Sequence, residues 1–237
     1  MVLTIVTPVL NGERFIRRNI ESIMKMKTPH EHIVVDGGST DGTLDILKEY
    51  PHLKVINQKE HTGMYGGIHM GFEVSTGNLI TWVNCDDWVV PEEYDKMAAE
   101  ISVNGADLVY SDSFLFFVQS QKTILSKTVP YAKYFIRNGL LPFIQPATIY
   151  TRKFYKSIGG LNTNYRITSD MDMFYRMAGV TGAKFLRHKG ASIYFLKYGE
   201  SLGDRNTERG HREREDAGIP YPKFIHKVLF GILRRIL

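Results

Sequence analysis

Short runs of β-branched and apolar residues alternate with stretches of helical periodicity through the first 112 residues of the chain. The apolar runs predict strands at residues 3–7, 32–35, 53–56, 79–83 and 107–111. Apolar residues recur at helical spacing between these runs, and Pro91 opens the last such stretch in the favoured first-turn position. Such alternation builds right-handed βαβ units. We therefore predict an α/β fold with a mostly parallel sheet covered by helices on both faces.

Polar clusters follow three of these predicted strands. Asn11 comes after the first strand, residues 36–41 after the second and residues 84–87 after the fourth. In an open α/β sheet, ligands bind outside the carboxyl ends of the strands. The three clusters therefore predict one ligand site at that edge of the sheet.

Asp86 and Asp87 are adjacent carboxylates directly after an apolar run. Two such groups repel each other unless a cation or solvent relieves them, and Mg²⁺ or Mn²⁺ is commonly held by carboxylates together with substrate phosphates. A solvated turn is the alternative, but the preceding strand and the other two clusters favour a metal site. The sequence has one cysteine and no cysteine–histidine cluster with zinc spacing, so oxygen ligands are expected.

The segment 36–42 reads Asp-Gly-Gly-Ser-Thr-Asp-Gly. Its glycines let the backbone approach a ligand closely, and a carboxylate there can accept hydrogen bonds from a base or a ribose. Asp36, at the end of its strand, is predicted to contact the ligand. For Asp41 a helix-capping role is favoured.

The second half of the chain has a looser pattern. Its apolar and polar spacing predicts a hairpin or flanking strands at 114–118 and 123–126, helices at 131–138 and 169–178, and a strand at 147–151. We expect one domain over residues 1–196. The charge and glycine content of residues 197–222 predicts a flexible loop at the active site, and residues 223–237 predict a basic amphipathic helix.

The composition is that of an ordinary globular protein, with 43% hydrophobic and 23% charged residues. The net charge of +5 is concentrated toward the C-terminal end. Phosphate ligands or anionic lipid explain this charge as well as nucleic acid does, and no nucleic-acid partner is expected. The first residues lack the pattern of a signal peptide and no apolar run reaches the length of a membrane span, so the expected location is the cytoplasm.

Several blocks occur in order along the sequence. In the first hundred residues these are Thr7-Pro8-Val9-Leu10-Asn11, residues 34–43, Gly63-Met64-Tyr65 leading into Gly71, and Asn84-Cys85-Asp86-Asp87-Trp88, and later come residues 145–148, 159–161 and 169–172. Together these blocks resemble the inverting glycosyltransferases of family two, and the later ones resemble the acceptor side of that family. The resemblance implies the GT-A fold, a Rossmann-like sheet flanked by helices, with a donor-binding half over 1–112 and an acceptor-side half over 113–196.

The resemblance also implies roles for individual residues. Asp170 is expected to be the general base that removes the proton of the acceptor hydroxyl, with Asp172 as the alternative. Asp86 is expected to hold Mn²⁺ or Mg²⁺, which stabilises the departing diphosphate. His188 is a second candidate metal ligand, and a surface histidine between two cations is its alternative interpretation. The expected nucleotide-sugar contacts are Thr7, Pro8, Asn11, Asp36, Gly38, Met64, Tyr65, Gly67, Asn84 and Asp87.

The expected reaction is the transfer of one sugar, with inversion, from a nucleotide-diphosphate donor to a hydroxyl of a saccharide or polyprenyl-linked acceptor. The signature of processive synthases is absent, and no GxGxxG motif follows the first strand as in dinucleotide oxidoreductases. The first strand also lacks the glycine-rich basic loop of nucleotidyltransferases.

Three residues depart from the pattern of the family. Asn84 stands at the first position of its acidic-x-acidic signature, His61 stands where many relatives are acidic, and Ile144 stands where a histidine is frequent. Asn84 and His61 keep a second hypothesis open, in which the chain is a catalytically inactive nucleotide-sugar binding module.

The C-terminal stretch 223–237 places apolar residues on a broad stripe flanked by lysines and arginines. That composition suits the plane of an anionic membrane, and docking onto the domain's own core is the alternative. The sequence favours a peripheral location on the inner face of the cell membrane, which fits a lipid-linked acceptor.

Overall fold

The computed structural model describes residues 1–58, 63–198 and 206–236. Within these ranges the strands form one sheet in the order β3-β2-β1-β4-β8-β6-β9-β5, with β7 paired to β6. The strands are β1 Leu3–Val9, β2 His30–Asp36, β3 Lys54–Asn57, β4 Leu79–Trp82, β5 Trp88–Val89, β6 Leu108–Phe117, β7 Lys122–Ser126, β8 Thr148–Thr151 and β9 Phe185–Lys197.

The helices lie on both faces of this sheet, which confirms the predicted α/β class with a mostly parallel sheet. Pro91 begins a helix as expected, whereas the helix that starts at Arg152 was not predicted. The helices are α1 Ile16–Met24, α2 Thr43–Lys48, α3 Gly63–Glu73, α4 Pro91–Asn104, α5 Ala132–Arg137, α6 Arg152–Ser157, α7 Ser169–Gly179, α8 Thr207–Asp216 and α9 Phe224–Ile236.

Strand β1 is central to the half of the sheet that comes first in sequence. It pairs in parallel with β2 and with β4, and every one of its residues is buried. A strand covered on both faces requires continuous apolar or small side chains, and the sequence of β1 provides them. Helix α3 packs closely above it, because Gly71 leaves room for Val6; a Cβ at Gly71 would lie 2.6 Å from Val6 Cγ1.

The later half of the sheet is mixed. Strand β8 runs antiparallel to both β4 and β6, and β6 also forms the predicted hairpin with β7. Strand β9, which pairs in parallel with β6, was not predicted. Its first part carries Arg187, His188 and Lys189, so the sequence lacks the apolar alternation of a strand there, and a register irregularity lies at Tyr110–Ser113 of β6.

Residues 197–222 contain a helix where the sequence predicted a flexible loop. The described part of this segment includes α8, whose Glu213 is buried against the chain before α7. Glu213 and Asp216 bind groups about fifty residues earlier in the chain, so the sequence of this charged segment does not by itself reveal the helix. Residues 199–205, including Arg205, lie outside the described residues.

Helix α9 rests on the domain by one face. The ring of Phe230 packs edge-on against Phe135 with centroids 5.3 Å apart, and His226 packs in the same way against Tyr134 at 5.7 Å. Arg234 Nε donates to the carbonyl of Lys127 at 3.0 Å. The helix therefore contacts the domain by one side and leaves apolar side chains exposed on the other.

Candidate active site

A cavity of about 930 Å³ opens at the carboxyl ends of β1 and β4. Helices α3 and α7 form its sides, and the end of β9 closes it opposite β1. The structure therefore brings together side chains up to 190 residues apart in sequence, from Pro8 to Tyr198. The predicted site residues that line this cavity are Pro8, Met64, Tyr65, Gly67, Asn84, Asp86 and Asp170.

Asp86 follows β4 and reaches the cavity wall. Burial raises the pKa of its carboxyl, although the Tyr198 hydroxyl donates a hydrogen bond to Asp86 Oδ2 at 2.9 Å and opposes that shift. The ring of Tyr198 stacks on Phe15 with centroids 5.3 Å apart. A partly desolvated carboxylate with one neutral donor retains lone pairs for a cation, which would favour its ionised form.

Asp87 points away from the cavity and is 1% exposed. Its Oδ1 accepts a hydrogen bond from the Leu196 amide at 2.9 Å, while Oδ2 has no partner among the described residues. Burial, and then the charge of Asp86, raise the pKa of Asp87 well above its ordinary value. The side chain therefore ties the β4 turn to β9, and the carboxylates of Asp86 and Asp87 play different parts.

Asn19 of α1 forms hydrogen bonds with the turn that carries these two carboxylates. Its Nδ2 donates to the carbonyl of Asn84 at 3.0 Å and to that of Asp87 at 2.9 Å. Asn84 itself lines the cavity, and its buried Oδ1 has no hydrogen-bond partner in the described part of the chain. An amide oxygen without a partner beside a carboxylate is suited to a cation or to a ligand hydroxyl.

These oxygens fit a metal ion that is held largely by its substrate. The described ranges contain no group of three or more histidine, cysteine, aspartate or glutamate side chains able to hold a metal ion. Mg²⁺ and Mn²⁺ sites of phosphate-handling enzymes often use one or two carboxylates and complete the shell with phosphate oxygens and water. The oxygens of Asp86 and Asn84 are consistent with that arrangement.

His188 is not brought to this cavity. Its side chain is buried, with Nε2 2.7 Å from Glu93 and Nδ1 3.0 Å from Glu100, both on α4. Both ring nitrogens are therefore occupied by carboxylates, and His188 does not line the cavity that Asp86 lines. The surface location considered as its alternative does not match the structure, because β9 turns this residue inward.

Asp170 lies near the start of α7 and faces the cavity. Its Oδ1 accepts hydrogen bonds from the Tyr65 hydroxyl at 3.1 Å and from the Met171 amide at 2.8 Å. Burial raises the pKa of Asp170, and these two donors only partly oppose the shift. A carboxylate with a raised pKa in a cavity is a suitable general base, because it holds a proton more tightly than an exposed aspartate does.

Asp172 is on a different face of α7, and its carboxylate is bound by Arg176. Its Oδ2 accepts a hydrogen bond from Arg176 Nε at 3.0 Å, and Arg176 Nη2 donates to the carbonyl of Gly160 at 2.7 Å. Asp172 does not line the cavity. The geometry therefore favours Asp170 over Asp172 as the general base.

The other residues predicted to contact the nucleotide sugar lie in or beside the loops that follow β1 and β2. Asn11 has a positive φ of 52° and accepts a hydrogen bond from the Thr40 amide at 2.8 Å, so it joins the two loops. Asp36 Oδ2 accepts from the amides of Gly38 and Ser39, whereas its buried Oδ1 has no partner among the described residues. Thr7 is buried against His32. These residues, like Gly38, do not line the cavity themselves, although Gly37 does.

Sequence reasoning missed Gln58, Arg166 and Tyr198, all of which line the cavity. It also missed Glu213 of α8, whose carboxylate accepts hydrogen bonds from the amides of Arg166 and Ile167 at 2.9 Å and of Thr168 at 3.1 Å. The Tyr65 hydroxyl bonds the Ile167 carbonyl at 3.2 Å, so the same loop is tied to the tyrosine that contacts Asp170. No short motif marks these residues. His61 lies outside the described residues.

The sheet order and the position of the cavity are those of α/β proteins that bind ligands beyond the carboxyl ends of their strands. Residues 4–160 match the model of glycosyl transferase family 2. This match covers more than half of the chain, and the chain therefore belongs to that family.

Individual relatives are more distant. The chain is 28% identical over 187 residues to a PGL/p-HBAD biosynthesis glycosyltransferase of Mycobacterium tuberculosis, a match that covers 74% of this chain and 69% of the relative. It is also 28% identical over 118 residues to the glycosyltransferase GlyA of Streptococcus pneumoniae, covering 48% of this chain and 17% of GlyA. The chain thus spans a small part of GlyA.

Solved structures share the fold. S. aureus TarS 1–349 in complex with UDP-GlcNAc superimposes with a TM-score of 0.66 at 22% identity, covering 85% of this chain and 60% of that one. The mannosyltransferase PcManGT from Pyrobaculum calidifontis, in complex with GDP-Man and Mn²⁺, gives a TM-score of 0.64 at 15% identity, covering 88% and 60%. At these identities the likeness establishes the GT-A fold.

Proposed function

We propose that the chain transfers a single sugar, with inversion and with the help of a divalent metal, from a nucleotide-diphosphate donor to a hydroxyl group. The observation that carries this proposal is the presence of Asp86 and Asp170 on the walls of one cavity. An inverting transfer requires a base for the acceptor proton and positive charge at the departing diphosphate. The two carboxylates are suited to these two tasks.

In the proposed reaction, Asp170 accepts the proton of the acceptor hydroxyl as that oxygen attacks the anomeric carbon. The Tyr65 hydroxyl and the Met171 amide fix the orientation of the Asp170 carboxylate. Both hydrogen bonds stabilise its negative charge until it accepts the proton. Asp86, with Asn84 beside it, would hold Mn²⁺ or Mg²⁺. When bound, that ion supplies the charge that stabilises the leaving diphosphate. The β1 and β2 loops, whose shape Asn11 and Asp36 fix, would hold the nucleoside.

The binding of UDP-GlcNAc by TarS and of GDP-Man with Mn²⁺ by PcManGT supports a nucleotide-sugar donor and metal use. The test is thermal unfolding in the presence of UDP and GDP, each with MnCl₂ or with EDTA, followed by the matching nucleotide sugars. We expect one nucleotide to raise the melting temperature only when Mn²⁺ is present. Saturation at one hundred times the dissociation constant stabilises the folded chain by about 2.7 kcal/mol.

Release of nucleoside diphosphate from the matching donor separates this proposal from the inactive binding module, which Asn84 suggests. Metal-dependent release, even slow release to water, is expected of a transferase. Binding of the nucleotide sugar without any release would favour the module. Absence of nucleotide binding under all four conditions would contradict both.

We further propose that α9 attaches the protein to an anionic membrane surface, close to a lipid-linked acceptor. Phe224, Ile225 and Ile232 of this helix are 82%, 63% and 52% exposed, on the side away from the contacts of Phe230 and His226. Lys227 and Arg235 add positive charge to the helix, which has no acidic residue. No helix in the described part of the chain is long and apolar enough to cross a bilayer, so the proposed contact is peripheral.

Replacing Ile225 and Ile232 together by glutamate is expected to reduce binding to phosphatidylglycerol-containing vesicles by about a hundredfold, because each isoleucine withdrawn from lipid forfeits roughly 1.5 kcal/mol. Vesicle co-sedimentation measures the effect. Val103→Glu is the matched control, since Val103 is 83% exposed on α4 and far from α9 in sequence. Equal binding to pure phosphatidylcholine, or unaltered binding of the double variant, would contradict the proposal. So would a concentration-dependent dimer, by light scattering, that the double variant abolishes.

A further inference from the structure

A second cavity, of about 270 Å³, adjoins the first and shares Asp86 and Leu196 with it. Arg14, just before α1, and Arg18, within α1, line one side. Trp88 of β5 and the turn between β6 and β7 line the other. None of the roles assigned above uses this cavity, although it lies directly beside the carboxylate proposed to hold the metal.

The two arginines place cationic groups in this cavity, and no described residue neutralises them as an ion-pair partner. The guanidinium carbon of Arg18 lies 3.3 Å from the centroid of the Trp88 ring, and that of Arg14 lies 5.2 Å from the Phe15 ring. Neither arginine forms an ion pair with any residue in the described ranges. Burial lowers the pKa of Arg18. A guanidinium stacked on an aromatic face keeps its N–H groups free to bind a carboxylate or phosphate through two parallel hydrogen bonds.

Arg17, the neighbour of Arg18 on the same helix, differs from Arg18 because it has a carboxylate partner. It faces away from the cavity and holds both carboxylate oxygens of Glu49 at 2.8 Å. The same residue type on the same helix is thus satisfied within the protein on one face. On the cavity face, Arg18 lies over the Trp88 ring and forms no ion pair among the described residues.

A row of stacked aromatic rings extends from the cavity across three strands. Trp88 of β5 stacks on Tyr194 of β9 with centroids 5.0 Å apart, and Tyr194 stacks on Phe114 of β6 at 4.7 Å. Phe114 and Tyr194 are only partly buried. Because these rings stack on one another, and Arg18 lies over Trp88, the faces of Trp88 and Tyr194 are covered and the ring edges form an apolar wall. Cations beside an apolar wall fit a saccharide that carries a negative charge.

We propose that this second cavity is an acceptor subsite that binds an oxyanion, phosphate or carboxylate, on the saccharide that receives the sugar. The inference rests on the proposed transferase function, in which the donor diphosphate occupies the first cavity. Asp86 is the acidic residue on the shared wall and would repel the oxyanion when no cation is bound. Binding of the anionic saccharide is therefore expected to be tighter in the presence of Mn²⁺.

Intrinsic fluorescence tests this assignment without requiring turnover. The chain has two tryptophans, and Trp82 is 1% exposed in the core, so Trp88 is the one that reports on the cavity. The probes are glucose 6-phosphate, glucuronate and uncharged glucose, titrated at constant ionic strength with MnCl₂. We expect saturable changes for the two anions at concentrations at least about tenfold lower than for glucose, a difference of about 1.4 kcal/mol.

Arg18→Met is expected to remove the preference for the anionic probes, and Arg17→Met is the matched control that should preserve it. Thermal unfolding verifies that both variants are folded. Equal binding of glucose and the two anions, or equal losses in both variants, would overturn the proposal. An equal loss of UDP or GDP affinity in Arg18→Met would also overturn it, because the cavity would then serve the donor. Failure of the transferase function is distinguishable, since it would appear as absent nucleoside diphosphate release with anion binding intact.

Discussion

Asp170→Asn should reduce sugar transfer by about 10²–10⁴-fold, the usual contribution of a positioned general base, while nucleotide binding persists. The amide has nearly the shape of the carboxylate, and its oxygen can still accept from Tyr65 and Met171. It cannot accept a proton from the acceptor hydroxyl. The measurement is kcat/KM with the donor that emerges from the nucleotide screen, together with the melting shift produced by that nucleotide and Mn²⁺.

The pH dependence of the wild-type chain gives an independent check on the same residue. Because burial raises the pKa of Asp170, the base becomes protonated at a higher pH than an exposed aspartate would. Activity should therefore fall as pH decreases through a value above the ordinary 3.8, and the residual rate of Asp170→Asn should lack this acidic limb. Asp45→Asn, at an exposed position on α2, is the matched control. Near-normal turnover of Asp170→Asn would show that another group is the base.

Asp86→Asn should abolish the metal-dependent part of nucleotide binding and lower turnover by about a thousandfold, since metal stabilisation of a leaving diphosphate contributes several kcal/mol. The substitution removes the charge and leaves a neutral oxygen, which is a much weaker ligand for a hard cation. The melting temperature of the variant with UDP or GDP should be the same in MnCl₂ and in EDTA.

Tyr198→Phe separates the loss of a ligand from the loss of the local structure around Asp86. It removes the hydroxyl that donates to Asp86 Oδ2 but leaves the carboxylate and the stacking on Phe15. We expect Mn²⁺ to support nucleotide binding in this variant at the same or a lower concentration than in the wild-type chain. Metal-dependent stabilisation that survives in Asp86→Asn would refute the ligand assignment.

The part of the fold that the sequence reveals is the part whose hydrogen bonds and packing are local or repeat regularly. Strand β1, with its continuous apolar run, and the helix begun by Pro91 could be predicted, because both faces of β1 are covered and proline favours a first turn. Strand β9 could not, because its charged residues find partners on α4 and β6, as His188 does with Glu93 and Glu100. Such pairings depend on tertiary structure.

The same distinction applies to the candidate site. The residues at strand ends, such as Asn84 and Asp86, follow from topology, since parallel strands deliver their carboxyl ends to one edge. Which of two adjacent carboxylates faces the cavity does not follow, because it depends on the Leu196 amide that binds Asp87. The positions of Tyr198 and Glu213 depend on chain segments beyond residue 196, where the sequence carried no recognisable motif.

The hydrogen bonds of Glu213 determine how much of the chain a fragment must contain to keep the candidate site intact. The match to the family model ends at residue 160, before Asp170, before β9 and before α8. A single carboxylate on α8 gathers three successive amides of the loop that leads into α7. A fragment that ends at residue 160 would lack Asp170, the proposed base. A fragment that ends after β9 would keep Asp170 but lose Glu213, whose carboxylate binds the loop before α7. The smallest piece worth expressing on its own therefore extends through Asp216, whose carboxylate accepts the last of these tethers from the Tyr165 hydroxyl.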